Sequence, residues 1–226
     1  MIQDPGDELF SAVRRAGDDP TDADRRAVAL VQRRFGLALP PPFAILPAGD
    51  EKIPVRSATA ADGAAIASVR WRSWQVAYRG LIPAEVLADF PTRTPIASWI
   101  ADATVPASTR HQLLVAGRPG VVLAMAQVRP THDRDQDPAE VAEIDKLYLD
   151  PLVRRRGIGG LMLEEAVLRA RAAGAARFSL WVATGNAPAR AFYEAAGWWS
   201  DGATDAMDLG GGVTLEETRY WLDPPA

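Results

Sequence analysis

From residue 147 the chain reads Leu147-Tyr148-Leu149-Asp150-Pro151-Leu152-Val153-Arg154-Arg155-Arg156-Gly157-Ile158-Gly159-Gly160, and this stretch decides the fold. It predicts a strand that stops at a proline, a loop of arginine and glycine, and the start of a helix. The first N–H groups of a helix have no intrahelical acceptor, and the aligned peptide dipoles place about half a positive charge there. Glycines allow close approach of the backbone, and arginine matches phosphate geometry. The stretch therefore predicts a phosphate-binding loop.

Two common phosphate ligands are disfavoured by the residues after this loop. A nucleoside triphosphatase loop needs Lys and then Ser or Thr after its last glycine, whereas Gly160 is followed by Leu161. A dinucleotide fingerprint needs a glycine where Met162 stands and an acidic residue at the end of the next strand, and the predicted strand 177–182 has none. Neither ATP nor NAD is the expected ligand.

The remaining pattern, Arg-x-x-Gly-x-Gly at Arg154, Gly157 and Gly159, resembles the acetyl-CoA pyrophosphate loop of the GNAT superfamily of N-acetyltransferases. Residues 186–198, from Asn186 to Trp198, are similar to the superfamily signature Asn-x-x-Ala-x-x-Phe-Tyr-x-x-x-Gly-Phe/Trp. Residues 74–83 resemble the Trp-x-x-x-Tyr-Arg-Gly-Leu-Ile-Pro segment that joins the first two helices in one bacterial branch. The resemblance covers residues 55–222.

This resemblance implies an α/β (α+β) fold. We expect a mixed, mostly antiparallel central sheet with a V-shaped splay between strands 4 and 5, helices on both faces and an N-terminal helical extension. It implies an acyltransferase that moves acetyl from acetyl-CoA to a primary amine of a small molecule by direct attack in a ternary complex. The alternatives are a protein or peptide amine as acceptor, and a non-catalytic acyl-CoA sensor.

The resemblance also implies which residues form the site. Tyr193 is the expected acid for the leaving thiolate. Glu143 is the favoured base, with Asp145 on the same strand face or a water chain as alternatives. The other interpretation of Glu143 is a surface carboxylate paired to an arginine or Lys146. We expect the acceptor at Trp74, Gln75, Tyr78 and Asp145, although core packing is the default for the aromatic pair. Coenzyme A is expected at Leu147, Tyr148, Leu149, Arg154, Arg155, Arg156, Gly157, Ile158, Gly159, Gly160, Asn186, Ala189 and Phe192.

Composition bounds the remaining classes. The 226 residues carry a net charge of −4 and a sequence pI near 5.3, which argues against a nucleic-acid partner. There is no cysteine, so disulfides and zinc-thiolate sites are excluded, and we expect a cytoplasmic protein with no membrane partner. The two histidines, His111 and His132, show no metal or triad spacing, and we expect no metal and surface roles for both.

The chain divides into residues 1–54, an N-terminal helical extension with a Pro-rich linker, and residues 55–226, the acetyltransferase domain. The extension has two amphipathic helical stretches that need a surface, either their own domain or the mate in a homodimer. In the domain we expect hairpins at 112–128 and 198–222, a loop at 131–139 and strands at 143–149 and 177–182. The helix after Gly157 is expected to turn Leu161, Leu163, Val167 and Leu168 inward.

Overall fold

The computed structural model describes residues 53–93, 99, 101–103, 110–119 and 121–223. The helical stretches and spacer expected in residues 1–52 therefore lie outside the described residues. Among the residues that are described, no helix is both long and apolar enough to cross a bilayer.

The architecture is a single seven-stranded sheet in the order β1-β2-β3-β4-β5-β7-β6. Every neighbouring pair is antiparallel except β4 and β5, which are parallel. This confirms the predicted mixed, mostly antiparallel sheet. The strands are β1 (Val55–Ser57), β2 (Gln112–Ala116), β3 (Ala124–Pro130), β4 (Val141–Leu149), β5 (Arg177–Ala183), β6 (Trp199–Asp208) and β7 (Thr214–Leu222).

The parallel pair β4–β5 is short, and its length creates the main feature of the fold. Only three residue pairs join the two strands, and the last of them is Glu143 with Ser179. Beyond that pair β4 runs on to Leu149 without β5, while β5 stays paired to β7. The two strands thus form a V with its vertex at Glu143–Ser179, and backbone groups of β4 on its open side are left without a strand partner.

A β-bulge lies just past the vertex. The pairing of β3 with β4 passes from Val128–Ile144 to Gln127–Lys146, so Asp145 is an extra residue on β4. A bulge bends its strand and increases the local twist, which turns the end of β4 away from β5.

Helices cover both faces of the sheet, as expected. The helices whose bounds the structure describes are α1 (Gly63–Ala77), α2 (Ala84–Arg93), α3 (Ile158–Ala172) and α4 (Ala187–Ala195), with 3₁₀ turns at Ala60–Asp62 and Pro151–Val153; residues 99 and 101–103 are also helical. One core holds α3, α4 and the sheet side that carries Phe178 and Tyr220. On the other side α1 and α2 pack through Ile66 and Trp74. The V is therefore flanked by helix pairs on its two sides.

The inward face of α3 differs from the prediction for two of its four residues. Leu163 and Val167 are buried as expected, but Leu161 and Leu168 are 42% and 50% exposed. The first half of the helix is apolar nearly all round, so its periodicity did not define the phase. The buried side is rotated toward a face on which small and larger apolar residues alternate, and its glycine and alanines let α3 approach the sheet closely: Ile158, Gly159, Met162, Leu163, Ala166, Val167 and Ala170.

Strand boundaries differ modestly from the expected ones. The strand expected at 121–128 begins at Ala124 and runs to Pro130, and β4 begins two residues earlier than expected, at Val141. The loop between them stays irregular, as predicted from its acidic and proline-containing sequence.

Candidate functional site

The phosphate-binding loop expected from the sequence joins β4 to α3 with a sharply turned backbone. Asp150 directly follows β4 and caps the 3₁₀ turn. Its side chain accepts a hydrogen bond from the Leu152 N–H at 3.0 Å. Arg155 and Gly157 have positive φ values of 64° and 78°. The Leu161 N–H donates to the Gly157 carbonyl at 3.0 Å. The N–H groups of residues 158–160 therefore have no acceptor within α3 and are available to an anion.

Glycine at position 159 allows α3 to approach its neighbours closely. A Cβ there would lie 3.3 Å from the Leu149 side chain and 3.4 Å from the Phe192 ring. Gly159 thus joins the end of β4, the start of α3 and the side of α4, which are the three elements expected to hold coenzyme A.

The three arginines of the loop differ in environment. Arg155 and Arg156 are exposed, so both guanidinium groups can reach a phosphate. Arg154 is partly buried and its Nη2 lies 3.5 Å from the Ser73 hydroxyl of α1. Burial lowers the pKa of Arg154, and Asp150 partly opposes this effect. Arg154 is therefore partly engaged by the protein, whereas its two neighbours are free for a ligand.

A buried ion pair that the sequence did not reveal fixes the start of the loop. Arg72 of α1 donates from Nη2 and Nε to Asp150 Oδ2 at 2.6 and 2.9 Å. Arg72 also contacts the Ser68 hydroxyl. The side chains are 9% and 2% exposed, so α1 holds the end of β4 through a shielded charge pair.

The second expected motif opens α4. The Asn186 side chain accepts from the Ala189 N–H at 3.3 Å and caps the helix, as its sequence position predicted. Ala189 and Phe192 are partly buried against the core beside the V. The motif therefore places its cofactor-binding candidates along the side of α4 that faces the loop.

Tyr193, the expected acid, is buried among aromatic rings. Its ring centroid lies 5.1 Å from that of Phe192 and 6.2 Å from that of Trp198. Burial raises the pKa of Tyr193, and Tyr148 of β4 raises it further. The phenol therefore keeps its proton at neutral pH, as an acid must.

Glu143, the favoured base, lies at the vertex of the V and is only 2% exposed. Its Oε1 lies 3.4 Å from Arg129 Nη2 and its Oε2 lies 2.7 Å from His132 Nδ1. Burial raises the pKa of Glu143, and Asp145 adds to this, while Arg129 and His132 oppose it. The carboxylate is paired to an arginine, as the alternative interpretation expected, but it is buried and not on the surface.

Asp145 lies on the same side of β4 as Glu143, as strand alternation predicted. Both carboxylates contact Arg129, whose Nη2 is 2.8 Å from Asp145 Oδ1. Asp145 also pairs with Lys146. Lys146, one of the partners considered for Glu143, thus pairs with the bulge residue Asp145 instead.

The sequence analysis missed His132, which follows the end of β3 in the loop to β4. Its ring contacts the buried carboxylate of Glu143, although the imidazole itself is 58% exposed. The other histidine, His111, is exposed before β2. Spacing gave no signal for His132, because the register of the β3–β4 hairpin and the shape of its loop decide which residue of β4 it meets.

A network centred on Arg219 of β7 holds this loop in place. Arg219 pairs with Asp133 at 3.1 Å and Asp135 at 2.8 Å on the loop, and with Asp201 at 2.8 Å on β6. Its guanidinium carbon also lies 5.6 Å from the centre of the Trp181 ring, whose N–H donates to Asp133. The loop that carries His132 is therefore tied across β5 to the far side of the sheet.

Three of these side chains have the donor types of a metal site, but arginines already occupy two of them. Ligand atoms of His132, Asp133 and Glu143 lie within 4.8 Å of one another. Asp133 accepts from Arg219 and Trp181, and Glu143 accepts from Arg129. The geometry is that of an ion-pair network.

The sequence analysis also missed Glu217 of β7. Burial raises the pKa of Glu217 to about 7, with further contributions from the negative charges of Asp205, Glu143 and Asp145. These four carboxylates form a carboxylate cluster on the side of the sheet that carries α1 and α2. Tyr78 faces the same region, and burial, then Tyr148 and Glu217, raise its pKa.

The predicted acceptor residues of α1 have different environments. Trp74 is 2% exposed and packs against Tyr78 with ring centroids 4.4 Å apart, so it belongs to the core. The Gln75 amide donates to the Leu87 carbonyl at 2.8 Å and joins α1 to α2. Tyr78 is partly buried next to the carboxylate cluster, which makes it the member of this group best placed to meet an acceptor.

Comparisons with known proteins agree with this geometry. A model of the Acetyltransferase (GNAT) family matches residues 68–198, more than half of the chain. Among curated proteins no match to the sequence was found.

Solved structures share the fold at low identity. The PaiA N-acetyltransferase of Thermoplasma acidophilum, solved with coenzyme A, is 20% identical with a TM-score of 0.60, covering 75% of this chain and 100% of that one. YncA of Salmonella typhimurium, a putative acetyltransferase solved with acetyl-CoA, is 18% identical with a TM-score of 0.59, covering 76% and 94%. A ribosomal-protein-alanine N-acetyltransferase of Brucella melitensis is 22% identical with a TM-score of 0.57, covering 76% and 100%.

Proposed function

Because the chain belongs to the GNAT family of acetyltransferases, we propose that it moves an acetyl group from acetyl-CoA to a primary amine of a small molecule. The amine attacks directly, in a complex that holds both substrates. The observation that carries this proposal is the V between β4 and β5, which opens toward the unpaired N–H groups of residues 158–160.

The residues present fit coenzyme A at this place. The backbone of Leu147 and Leu149, beyond the last β4–β5 pair, offers hydrogen bonds to an extended arm inserted in the V. The helix start and the exposed Arg155 and Arg156 offer donors to a diphosphate. Bound acetyl-CoA supplies an acyl group activated as a thioester.

The protein then has to stabilise the oxyanion of the transition state, remove a proton from the ammonium group of the acceptor and supply a proton to the departing thiolate. A backbone N–H of β4 near Leu149 stabilises the oxyanion, and a preorganised donor of this kind lowers a barrier by about 3 kcal/mol. The Glu143 carboxylate provides the negative charge that draws a proton from the ammonium form of the acceptor. Tyr193 keeps its phenol proton for the departing thiolate, since burial holds it in the neutral form.

The carboxylate cluster supports a cationic acceptor. Burial raises the pKa of Glu217, and the negative charges of Asp205, Glu143 and Asp145 raise it further, so a cation placed among these carboxylates would reduce their repulsion. The Tyr78 ring, which packs on the buried Trp74 beside these carboxylates, favours a compact molecule. A small amine with a second positive charge fits both features.

The test measures release of free coenzyme A with a thiol reagent, using a panel of monoamines, diamines and amino acids. The protein has no cysteine, so the reagent reports coenzyme A alone. We expect turnover with at least one cationic amine, and at least a tenfold loss in both Glu143→Gln and Tyr193→Phe. Protein and peptide amines form a second arm, and turnover only there would contradict the small-molecule acceptor.

Binding is measured separately from turnover. Coenzyme A at a hundredfold its dissociation constant should stabilise the protein by about 2.7 kcal/mol, seen as a rise in Tm. The same rise without turnover on any amine would mean that the protein binds coenzyme A without catalysing transfer.

A further inference from the structure

Glu143 and His132 have opposite exposures although they touch. The Glu143 side chain is 3% exposed and the His132 side chain is 58% exposed. Both oxygens of the carboxylate are already in contact with the protein, Oε1 with Arg129 and Oε2 with His132. A substrate amine approaching from solvent therefore meets the imidazole before it can reach the carboxylate.

The contact between the two side chains requires one proton between the ring nitrogen and the carboxylate oxygen. His132 Nδ1 lies 2.7 Å from Glu143 Oε2, and two bare acceptor atoms at that distance repel each other. Arg129 Nη2, at 2.9 Å from Nδ1, could donate to a bare nitrogen, but that arrangement leaves the shorter contact without a proton. With Glu143 ionised, Nδ1 carries the proton and donates it to Oε2. The neutral ring then has its lone pair on Nε2.

We propose that His132, oriented by Glu143, is the catalytic base that takes the proton of the acceptor amine at Nε2, while Glu143 is a positioning residue. This inference rests on the proposed acetyl transfer to an amine. In the step, an N–H bond of the ammonium breaks and its electron pair stays on the amine nitrogen. The proton forms a bond with Nε2, and the resulting imidazolium is paired with the Glu143 carboxylate. Because the ring is more than half exposed, the proton then leaves to water.

The position of the pair fits this role. Glu143 is the last β4 residue that pairs with β5, so His132 lies beside the vertex at which an arm inserted in the V must end. The Arg219 network on residues 133 and 135 holds the loop next to His132. The imidazole is thus held at a defined place, although its outer edge is in solvent.

The charges around the ring come from four elements and must be counted in any pH profile. Arg129 of β3 lies against Nδ1, and Glu143 and Asp145 of β4 lie beneath it. Asp133 follows it in the loop, paired to Arg219. Glu217 of β7 is coupled to Glu143 and Asp145 and titrates near neutral pH. Protonation of Glu217 therefore affects the dependence of kcat/KM on pH. Comparison of the wild type with a His132 variant separates this effect from that of the imidazole.

The kinetic test compares kcat/KM against pH in the wild type, His132→Asn and the matched control His111→Asn. Asparagine can still donate to Glu143 but cannot accept a proton near neutral pH. We expect His132→Asn to lose about 10²-fold in kcat/KM at neutral pH and to lose the fall in rate on the acid side. Binding of coenzyme A and Tm should stay as in the wild type, and His111→Asn should behave as the wild type throughout.

A double-mutant cycle with Glu143→Gln tests whether the two residues act as a unit. We expect kcat/KM of the double variant to lie within about threefold of that of the slower single variant. The first substitution already disables the pair, so the second has little left to remove. If His132→Asn keeps its rate and its acid limb while Glu143→Gln does not, Glu143 acts without the imidazole and the inference is overturned.

A measurement without substrate separates this inference from the proposed function. Nitrogen-15 NMR of the native protein reports which ring nitrogen of neutral His132 carries the proton. Protonated Nδ1 and bare Nε2 are expected, with Glu143→Gln weakening that preference. Protonated Nε2 overturns the inference whatever the substrate is. A wild type that releases no coenzyme A with any amine overturns the proposed function instead.

Discussion

Arg72 of α1 and Asp150, the residue that follows β4, form a buried ion pair whose Nη2–Oδ2 distance is 2.6 Å. The two residues are 78 positions apart in the chain. Asp150 uses its other oxygen to cap the turn that leads into the phosphate-binding loop. The Asp150 carboxylate thus joins α1 to the start of the phosphate-binding loop between β4 and α3.

The first prediction concerns this pair. Asp150→Asn should lower the free energy of unfolding by about 3 to 5 kcal/mol, because it leaves the Arg72 charge buried without a counter-charge. Urea denaturation measures the change. The control is Glu165→Gln, which removes a surface pair with Arg169 at 2.7 Å and should cost about 0.5 kcal/mol or less. Equal costs for the two variants would contradict the role of burial.

A second prediction concerns the glycines of the loop. Gly157 has φ of 78° with open space where a Cβ would be, so Gly157→Ala should cost about 1 to 2 kcal/mol through backbone strain alone. Gly160 also has open space but begins the helix with a negative φ, so Gly160→Ala should be neutral or slightly stabilising. Denaturation curves for both variants, with and without coenzyme A, make the comparison. If Gly160→Ala were as unstable as Gly157→Ala, the cost of the added Cβ would come from its contacts and not from the backbone φ angle.

A third prediction concerns the acid. Tyr193→Phe should lower kcat by about 10²-fold with little change in coenzyme A binding, because the ring still fills its place among Phe192 and Trp198. The control is Tyr220→Phe. The Tyr220 hydroxyl donates to Glu194 at 2.8 Å and accepts from Arg190 at 3.0 Å, so its loss should reduce stability and leave kcat near that of the wild type.

A fourth prediction concerns the pH dependence of stability. The pKa of Glu217 is raised in the fold from 4.5 to about 7, so the folded state binds this proton more tightly than the unfolded state does. The free energy of unfolding should therefore fall as pH rises through this window, by at most about 3 kcal/mol. Glu217→Gln should remove most of that fall and be more stable than the wild type at pH 8.

The control for this prediction is Glu216→Gln, the exposed neighbour on the same strand. It should keep the pH dependence of the wild type in urea titrations at pH 5 and pH 8. A small slope should remain in Glu217→Gln because the pKa of Glu143 is raised in the same direction. An unchanged slope in Glu217→Gln would show that another group is responsible.

The parts of this fold that the sequence predicted are those in which the signal is local. The stretch from Leu149 to Gly160 has its strand end, its positive-φ glycine and its helix start close together in the sequence, so the pattern was sufficient. Asn186 at the start of α4 is a cap for the same reason. Even the V followed from the resemblance, because the motifs on β4 and α4 lie on either side of it.

The parts that the sequence did not predict depend on pairings between distant segments. His132 meets Glu143 because the β3–β4 hairpin pairs Arg129 with Glu143 and the irregular loop after Pro130 turns the imidazole back onto that carboxylate, and the shape of such a loop has no signature in composition or spacing. Glu217 acquires its raised pKa from residues on β4 and β6 that only the folded sheet brings near. The misassigned face of α3, with Leu161 and Leu168 outward, arose because apolar residues surround the first half of that helix.

The Arg219 network has a consequence for the order in which the protein matures during synthesis. Asp133 leaves the ribosome 86 residues before its partner Arg219, which lies in the last strand of the sheet. The loop next to His132 therefore stays unanchored until β7 has been made. Residues 150–160, which form the phosphate-binding loop, are made well before Arg219, so the local turns of that loop can form before the loop next to His132 is anchored.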